Sequence, residues 1–430
     1  MSERKPHPSD VSGRAASLRT GSSWRYLLTL YTVACLIEAM FLGHMGAFTP
    51  LYLPRLGIAP QDVAGWTGAI VSISSLVGLP FLPFWGALAD RYARQPVLVR
   101  AFVMHLVAGI IALLAANVWL FLLARAVMSL SMGITGLMLT TLSERVPPGR
   151  TGLAFSILNS ATPVGAFLGL LLGGRVVDLW GFPTLLAIDS VLMLGVVLAL
   201  TFGYHDEFKG TGQGSLVRMA LGSVGLIWAS RRLRLLFPAL FLLFSGWMLA
   251  NTYVPLVVTR LYNGADVGTA TGLVIACGGL TTALFGPLLG ALADRWGHWR
   301  VLMSSACVSV LLWPLPALTG DILSFGIAWA LVNGAVAGTF TLSFNVLADS
   351  TTPEARGRVM IFSYLPVVSG AAIGPALGSF VTQISLFAVF PLAAALTGIG
   401  IAAMLVANRQ QVAGTAGTPK RVSGQGLNPG

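Results

Sequence analysis

Five ionisable side chains sit inside long apolar stretches: Glu38, His44, His105, Arg125 and Asp189. Such a group is costly in hydrocarbon unless it is paired or hydrated, so each is a candidate for carrying a proton or touching a ligand. With a helical rise of about 1.5 Å per residue, Glu38 falls roughly 18 Å into its stretch. Arg125 and Asp189 come within a few ångströms of the same level, near the middle of a hydrocarbon layer about 30 Å thick. A guanidinium keeps its charge, so Arg125 requires an acid or an anionic ligand. Glu38 is the better proton carrier, because a carboxyl whose surroundings alternate between apolar and basic can alternate between neutral and charged. A fixed Glu38–Arg125 or Asp189–Arg125 pair that only organises the helices is the plainer alternative, and direct substrate contact is a third. His44 lies six residues after Glu38 and points to another helix face, where it relays a proton or packs.

The second part of the chain has no charge within its apolar stretches and offers Trp247, Asn251, Tyr253, Trp313, Trp329, Asn333 and Asn345 instead. Asn251 and Asn333 are the stronger cavity candidates, since a buried amide needs partners. Trp247 is the aromatic candidate beside them, while Trp313 and Trp329 are expected at the lipid interface. An ionic wall facing an aromatic and amide wall would suit a small amphipathic molecule. No nucleophile–base arrangement, metal-ligand spacing or phosphate-binding loop is present, so no enzyme, ATP-driven pump, metal or cofactor is expected. Cys35, Cys277 and Cys307 all fall in apolar runs, and disulfides are not expected.

The elements that hold these residues follow from composition. Of 430 residues 55% are hydrophobic and only 10% are charged, against about 25% charged in soluble domains. A helix crossing the hydrocarbon needs roughly 20 apolar residues. Twelve spans are predicted: 26–53, 63–88, 96–116, 118–142, 151–177, 181–203, 235–261, 266–292, 300–319, 321–348, 358–383 and 386–407. With the N-terminus in the cytoplasm, 22 of the 26 Lys and Arg fall on the inner side and only Arg55, Arg175 and Arg260 on the outer. The net charge of +11 therefore reports topology rather than a nucleic-acid partner. Residues 1–23 are read as a polar cytoplasmic tail rather than a cleaved leader. Residues 204–234 form a central linker with an interfacial helix, and 408–430 a disordered cytoplasmic tail.

The spans divide into two six-helix units, 24–203 and 235–407, because the sequence repeats. Gly86-Ala-Leu-Ala-Asp90-Arg91 returns as Gly290-Ala-Leu-Ala-Asp294-Arg295, 204 residues on. Gly165, Gly169 and Gly173 of the fifth span return as Gly370, Gly374 and Gly378 of the eleventh, 205 residues on. A glycine every fourth residue makes a smooth stripe for close helix approach, either as fixed packing or as a surface that slides during a cycle. A duplicated six-helix unit is the parallel-repeat plan of secondary transporters, with the ligand site between the halves.

The loop at Gly86, Asp90, Arg91 and Arg94, with its second copy at Gly290, Asp294 and Arg295, resembles the motif of the major facilitator superfamily. The resemblance extends over residues 24–407. It implies an all-α membrane protein of twelve transmembrane helices in two pseudo-symmetric six-helix bundles. It further implies that these loop charges tie the halves together on the cytoplasmic side and release as the protein rocks. The stretch 66–130, with Phe84-Trp85-Gly86 and Leu122-Leu123-Ala124-Arg125, is similar to bacterial multidrug efflux members that exchange drug for protons. In the fifth span Thr162 precedes Pro163 where those members have glycine; the cleaner glycine and proline run is Gly370, Gly374, Pro375 and Gly378. The expected function is proton-coupled export of a small amphipathic compound by a monomer in the plasma membrane lipid bilayer, with both termini cytoplasmic. Uptake of a metabolite or organic anion, and a transporter-fold receptor without flux, are the alternatives.

Overall fold

A computed structural model describes residues 23–81, 94–131, 134–147, 149–203, 224–351, 359–360 and 362–416. Ten helices among these are long and apolar enough to cross a membrane, and Val118–Ser129 and Leu365–Val381 are shorter apolar helices. In lipid every backbone amide must be hydrogen-bonded within the protein, which leaves helices and closed barrels, and continuous apolar runs of about 20 residues suit only the helix. The first half comprises α1 (Trp24–Ala47), α2 (Val63–Gly78), α3 (Arg94–Leu113), α4, α5 (Thr151–Trp180) and α6 (Phe182–Gly203). The second comprises α7 (Arg231–Leu261), α8 (Val267–Trp296), α9 (His298–Leu312), α10 (Ile322–Asp349), α11 (Leu365–Val381) and α12 (Val389–Ala416).

Helix α4 is not the continuous span expected over 118–142. It runs as Val118–Ser129 and Ile134–Arg145, with Leu130 and Ser131 non-helical between them. Ser129 and Ser131 turn their hydroxyls back onto Ala126 O and Met128 O, which competes with the helical ladder there. Two links between helices are single glycines. Gly181 joins α5 to α6 at φ 85°, and Gly297 joins α8 to α9 at φ 92°, a left-handed backbone that glycine adopts without steric cost. Asn117 and Ser230 cap α4 and α7, so α7 starts at Arg231 rather than 235.

Of the linker, residues 204–223 lie outside the described residues; a short helix, Val224–Ala229, precedes α7. Helix α12 continues past residue 407 to Ala416, so the first part of the tail expected to be disordered is helical. Its Ala, Arg and Gln residues favour helix, and the first glycine after Asn408 is Gly414.

The glycine stripes pack helices inside each half. Cβ atoms placed on Gly165, Gly169 and Gly173 would run into Leu36, Met40 and His44, one turn apart on α1. The repeat of this contact joins α11 to α7, where Gly370, Gly374 and Gly378 face Phe244, Ser245, Leu249 and Tyr253. At Gly169 the obstacle is Met40 Cα at 2.8 Å, which is backbone and cannot step aside. Gly169→Ala is therefore expected to cost about 1–3 kcal/mol in overpacking. Gly195→Ala in α6, with nothing within 4 Å of the added carbon, should be neutral. Thermal melts of the two purified variants check this, and equal melting points would refute the packing role.

The halves meet through α5 against α8 and α2 against α11. The ends of the helices bearing Arg25, Arg94, Arg145, Arg231 and Arg295 are called the basic end below, and the opposite side the far end.

Candidate functional site

The two carboxylates, Glu38 and Asp189, each face a histidine, Asp189 through hydrogen bonds and Glu38 at longer range, and neither meets Arg125. His44 of α1 places Nδ1 2.9 and 3.1 Å from the Asp189 carboxylate of α6, and Nε2 2.8 Å from Gly169 O of α5. Both residues are buried, at 1% and 2% exposure. A carbonyl oxygen only accepts, so Nε2 carries a hydrogen. Nδ1 then faces a carboxylate, and the contact is attractive only if Nδ1 or Asp189 carries a second proton. The pair therefore holds one exchangeable proton, whichever partner owns it. Glu38, 16% exposed, lies 3.9 Å from His105 Nδ1 on α3, and His105 Nε2 contacts the Ser131 hydroxyl at 2.7 Å in the α4 break. Sequence spacing rightly separated the faces of Glu38 and His44, but the pairings proposed with Arg125 do not form.

Arg125 points instead into a cavity of about 230 Å³ between the halves. Leu42 and Gly43 of α1, Thr67 of α2, and Met248, Asn251 and Thr252 of α7 also line it. Arg125 is 7% exposed; its Nη1 donates weakly to Met128 Sδ at 3.9 Å, and its Nε has no hydrogen-bond partner. No ion pair to Arg125 exists among the described residues. Asn333 lies elsewhere: its amide donates to Trp329 O at 2.8 Å beside Gly278 of α8, inside the second half. Trp247 is half-buried against Phe340 at 6.0 Å, not on the cavity wall. Trp313 and Trp329 are not interfacial anchors. Both are 1% exposed and pack on each other at 6.4 Å, filling the core of the second half.

The far end is closed by contacts that sequence reasoning missed. The Asp178 carboxylate of α5 accepts from Gly268 N–H and Thr269 N–H, each at 2.7 Å, and from the Thr269 hydroxyl at 2.6 Å. These are the unpaired amides of the first turn of α8, so an acid there is doubly favoured. Arg175 adds a looser pair with Asp266 at 3.8 Å. Beneath them Gly174 meets Gly268, and Gly272 meets Leu170 O, so the two helices cross in backbone contact. Ser379 of α11 donates to Gly65 O in the first turn of α2, and Tyr253 donates to Pro375 O at 2.9 Å beside Gly68.

Toward the basic end the helices part. On α5 the apolar face Leu153, Ile157, Val164, Leu168 and Leu172 is exposed along the whole length, as a lipid face should be. A second face, Gly152, Ser156, Asn159, Ser160 and Pro163, is exposed only in the basic half. Helix α8 repeats this with Ala283, Pro287 and Ala291. A face exposed in one half of a helix and covered in the other, polar on α5 and lined by small residues on α8, marks an opening at the basic end.

Of the hinge motif, Gly86, Asp90 and Arg91 lie outside the described residues. Arg94 is buried and forms a two-pronged pair with Glu144, at 2.6 and 2.7 Å, within the first half. In the second copy Gly290 is open, Arg295 is exposed, and Asp294 lies 3.7 Å from His298, which bonds Asp349 at 2.7 Å. His298 follows Arg94 by 204 residues and Asp349 follows Glu144 by 205, so the pair itself is duplicated with histidine in place of arginine.

The sequence model described as Major Facilitator Superfamily matches residues 27–271 and 262–425. Multidrug resistance protein MdtG of Klebsiella pneumoniae is 25% identical over 368 residues, 85% of this chain and 89% of that one. Multi-drug resistance efflux pump PmrA of Streptococcus pneumoniae is 26% identical over 375 residues, 86% and 93% of the two chains. Among solved structures, a mutant of the nucleoside transporter NupG superposes with a TM-score of 0.76 at 15% identity, covering 89% of this chain and 99% of its own. An auto-inhibited POT family peptide transporter gives 0.72 at 14% identity, covering 89% and 97%.

Proposed function

The chain belongs to the major facilitator superfamily of membrane transporters, and from that premise we propose that it exports small amphipathic organic compounds by alternating access, driven by protons moving inward. The observation that carries this reading is the junction of the halves, which Asp178 latches to α8 at the far end above the cavity, while polar residues of α5 are exposed only toward the basic end. With the basic end cytoplasmic, as the distribution of Lys and Arg supports, a compound from the cytoplasm enters this state and leaves after the halves rock. The protein then works as a multi-pass protein of the plasma membrane, both termini inside, as a monomer. Relatives bearing the names of multidrug resistance and efflux proteins align over more than four-fifths of the chain, which supports export. The nucleoside and peptide transporters share the fold only. Two sites offer a place for the driving proton, Glu38 beside His105 and the His44–Asp189 pair.

The test is accumulation of fluorescent amphipathic dyes in cells carrying the wild type, Glu38→Gln or empty vector. Wild type is expected to lower accumulation severalfold, and a protonophore to restore it. Glu38→Gln at equal expression separates the two proton sites: loss of export assigns the proton to Glu38, retention to His44–Asp189. Wild-type cells that match empty vector for every dye would refute export. Uptake of an organic anion is the second reading, favoured by the unpaired Arg125, and counterflow in vesicles of known orientation distinguishes it.

A further inference from the structure

We infer that the cavity between the halves binds compounds with an oxyanion head group, a carboxylate, sulfonate or phosphonate, on a compact apolar body, and that Arg125 is the anchor. The inference rests on the reading of this cavity as the transport site and adds the class of substrate.

Arg125 is buried and cannot be neutral, yet the acids of the neighbouring helices face histidines instead: Asp189 meets His44 at 2.9 Å, and Glu38 lies 3.9 Å from His105. Its Nε has no partner, and the side chain lines the cavity. No acidic residue shares that wall, so the charge of the cavity is positive alone. The other polar groups sharpen the choice. Thr49, Thr67 and Thr252 give their hydroxyl hydrogens to Met45 O, Val63 O and Met248 O of their own helices. They show a ligand only lone pairs. Donors are thus confined to Arg125 on α4 and the amide of Asn251 on α7, which approach from opposite halves. A fork of guanidinium hydrogens matches two oxyanion oxygens, and no neutral head group satisfies it equally. The remaining wall is apolar, with Leu42, Val71 and Ile275. A cavity of about 230 Å³ admits a body the size of a fused bicyclic ring rather than a long chain. A ligand held by α4 and α7 together would also link the two halves that must move relative to each other.

The experiment is binding to the purified full chain in detergent, measured by titration calorimetry with three probes of one shape: 1-naphthoate, 1-naphthamide and 1-naphthylmethylammonium. Naphthoate is expected to bind at least about tenfold more tightly than the amide, with the ammonium weakest. Naphthalene-1-sulfonate should compete with naphthoate. Arg125→Gln should bring the naphthoate-to-amide ratio to about one, while Arg125→Lys keeps part of it. Equal binding of amide and acid by the wild type overturns the inference whether or not the variants fold. So does tighter binding of the ammonium, or no binding of naphthoate at millimolar concentration. Export of cationic dyes without anion preference would leave the exporter reading in place and remove this one. Anion-selective binding without export would do the reverse.

Discussion

His44→Ala is expected to abolish recovery of folded protein, whereas Asp189→Asn should be recovered at near wild-type yield. Removing the imidazole leaves Asp189 at 2% exposure with its histidine partner gone and strips Gly169 O of its side-chain donor. Breaking a buried pair from one side costs about 3–5 kcal/mol, because the remaining charge has nothing to compensate it. That is a large share of the 5–15 kcal/mol or so that holds a typical domain together. Asparagine at position 189 has the same shape, and its amide can donate to an unprotonated Nδ1, so the contact survives while the exchangeable proton is lost. Replacing both residues by leucine should restore part of the folded yield, since apolar isosteres of a buried pair are often tolerated. Size-exclusion profiles and thermal melts in detergent give the answer. A folded His44→Ala with an unchanged melting point would show that the pair is incidental. If Asp189→Asn folds normally and dye export loses its response to protonophore, the pair is the proton's seat.

Asp178→Ala should release the far end. In the structure this carboxylate takes three hydrogen bonds from the first turn of α8 across the junction of the halves. A hydrogen bond to a charged group contributes about 1.5–3 kcal/mol, so loss of even one shifts the closed population about tenfold. The backbone crossing at Gly174, Gly268 and Gly272 remains in the variant. The expected result is therefore a mixture of closed and open far ends rather than unfolding. Spin labels at Leu179→Cys and Ala265→Cys, in a background without Cys35, Cys277 and Cys307, read the distance directly. A broadened, longer distribution in Asp178→Ala supports a latch, and Asp178→Asn, which keeps an acceptor but no charge, should fall between. An unchanged distribution means that glycine packing alone closes the far end. The Arg175–Asp266 pair is mostly exposed on both sides, at 58% and 54%, and its removal should change little.

Much of this protein was legible along the chain because lipid imposes a one-dimensional rule. A span must be apolar for a fixed length, and basic residues collect at one face, so the helices and their order follow from position alone. The shared depth expected of Glu38, Arg125 and Asp189 does not hold: Asp189 meets His44, six residues or about 9 Å along α1 from Glu38. The duplication was equally plain, because an offset of 204 or 205 residues needs no structure to see. Which way each helix turns was not legible. A helix that meets lipid on one side and apolar neighbours on the other is apolar all round, and its sequence gives no signal of the face presented to each partner. For that reason Arg125 could be matched with either acid on paper. Only packing decided that α6 turns Asp189 to His44, 145 residues away, and leaves Arg125 facing the cavity. The glycines illustrate the same limit. Gly173 and Gly174 are neighbours in the sequence, yet one seats α1 within its own half and the other meets α8 of the opposite half. Their residue type is identical, and the roughly 100° between successive side chains on a helix separates their roles. Asp178 escaped notice because an acid at the end of a span looks like ordinary solvated charge until the amides of another helix are brought to it. Span and repetition belong to the chain; rotation about the helix axis, and so every partner in the site, belongs to the fold.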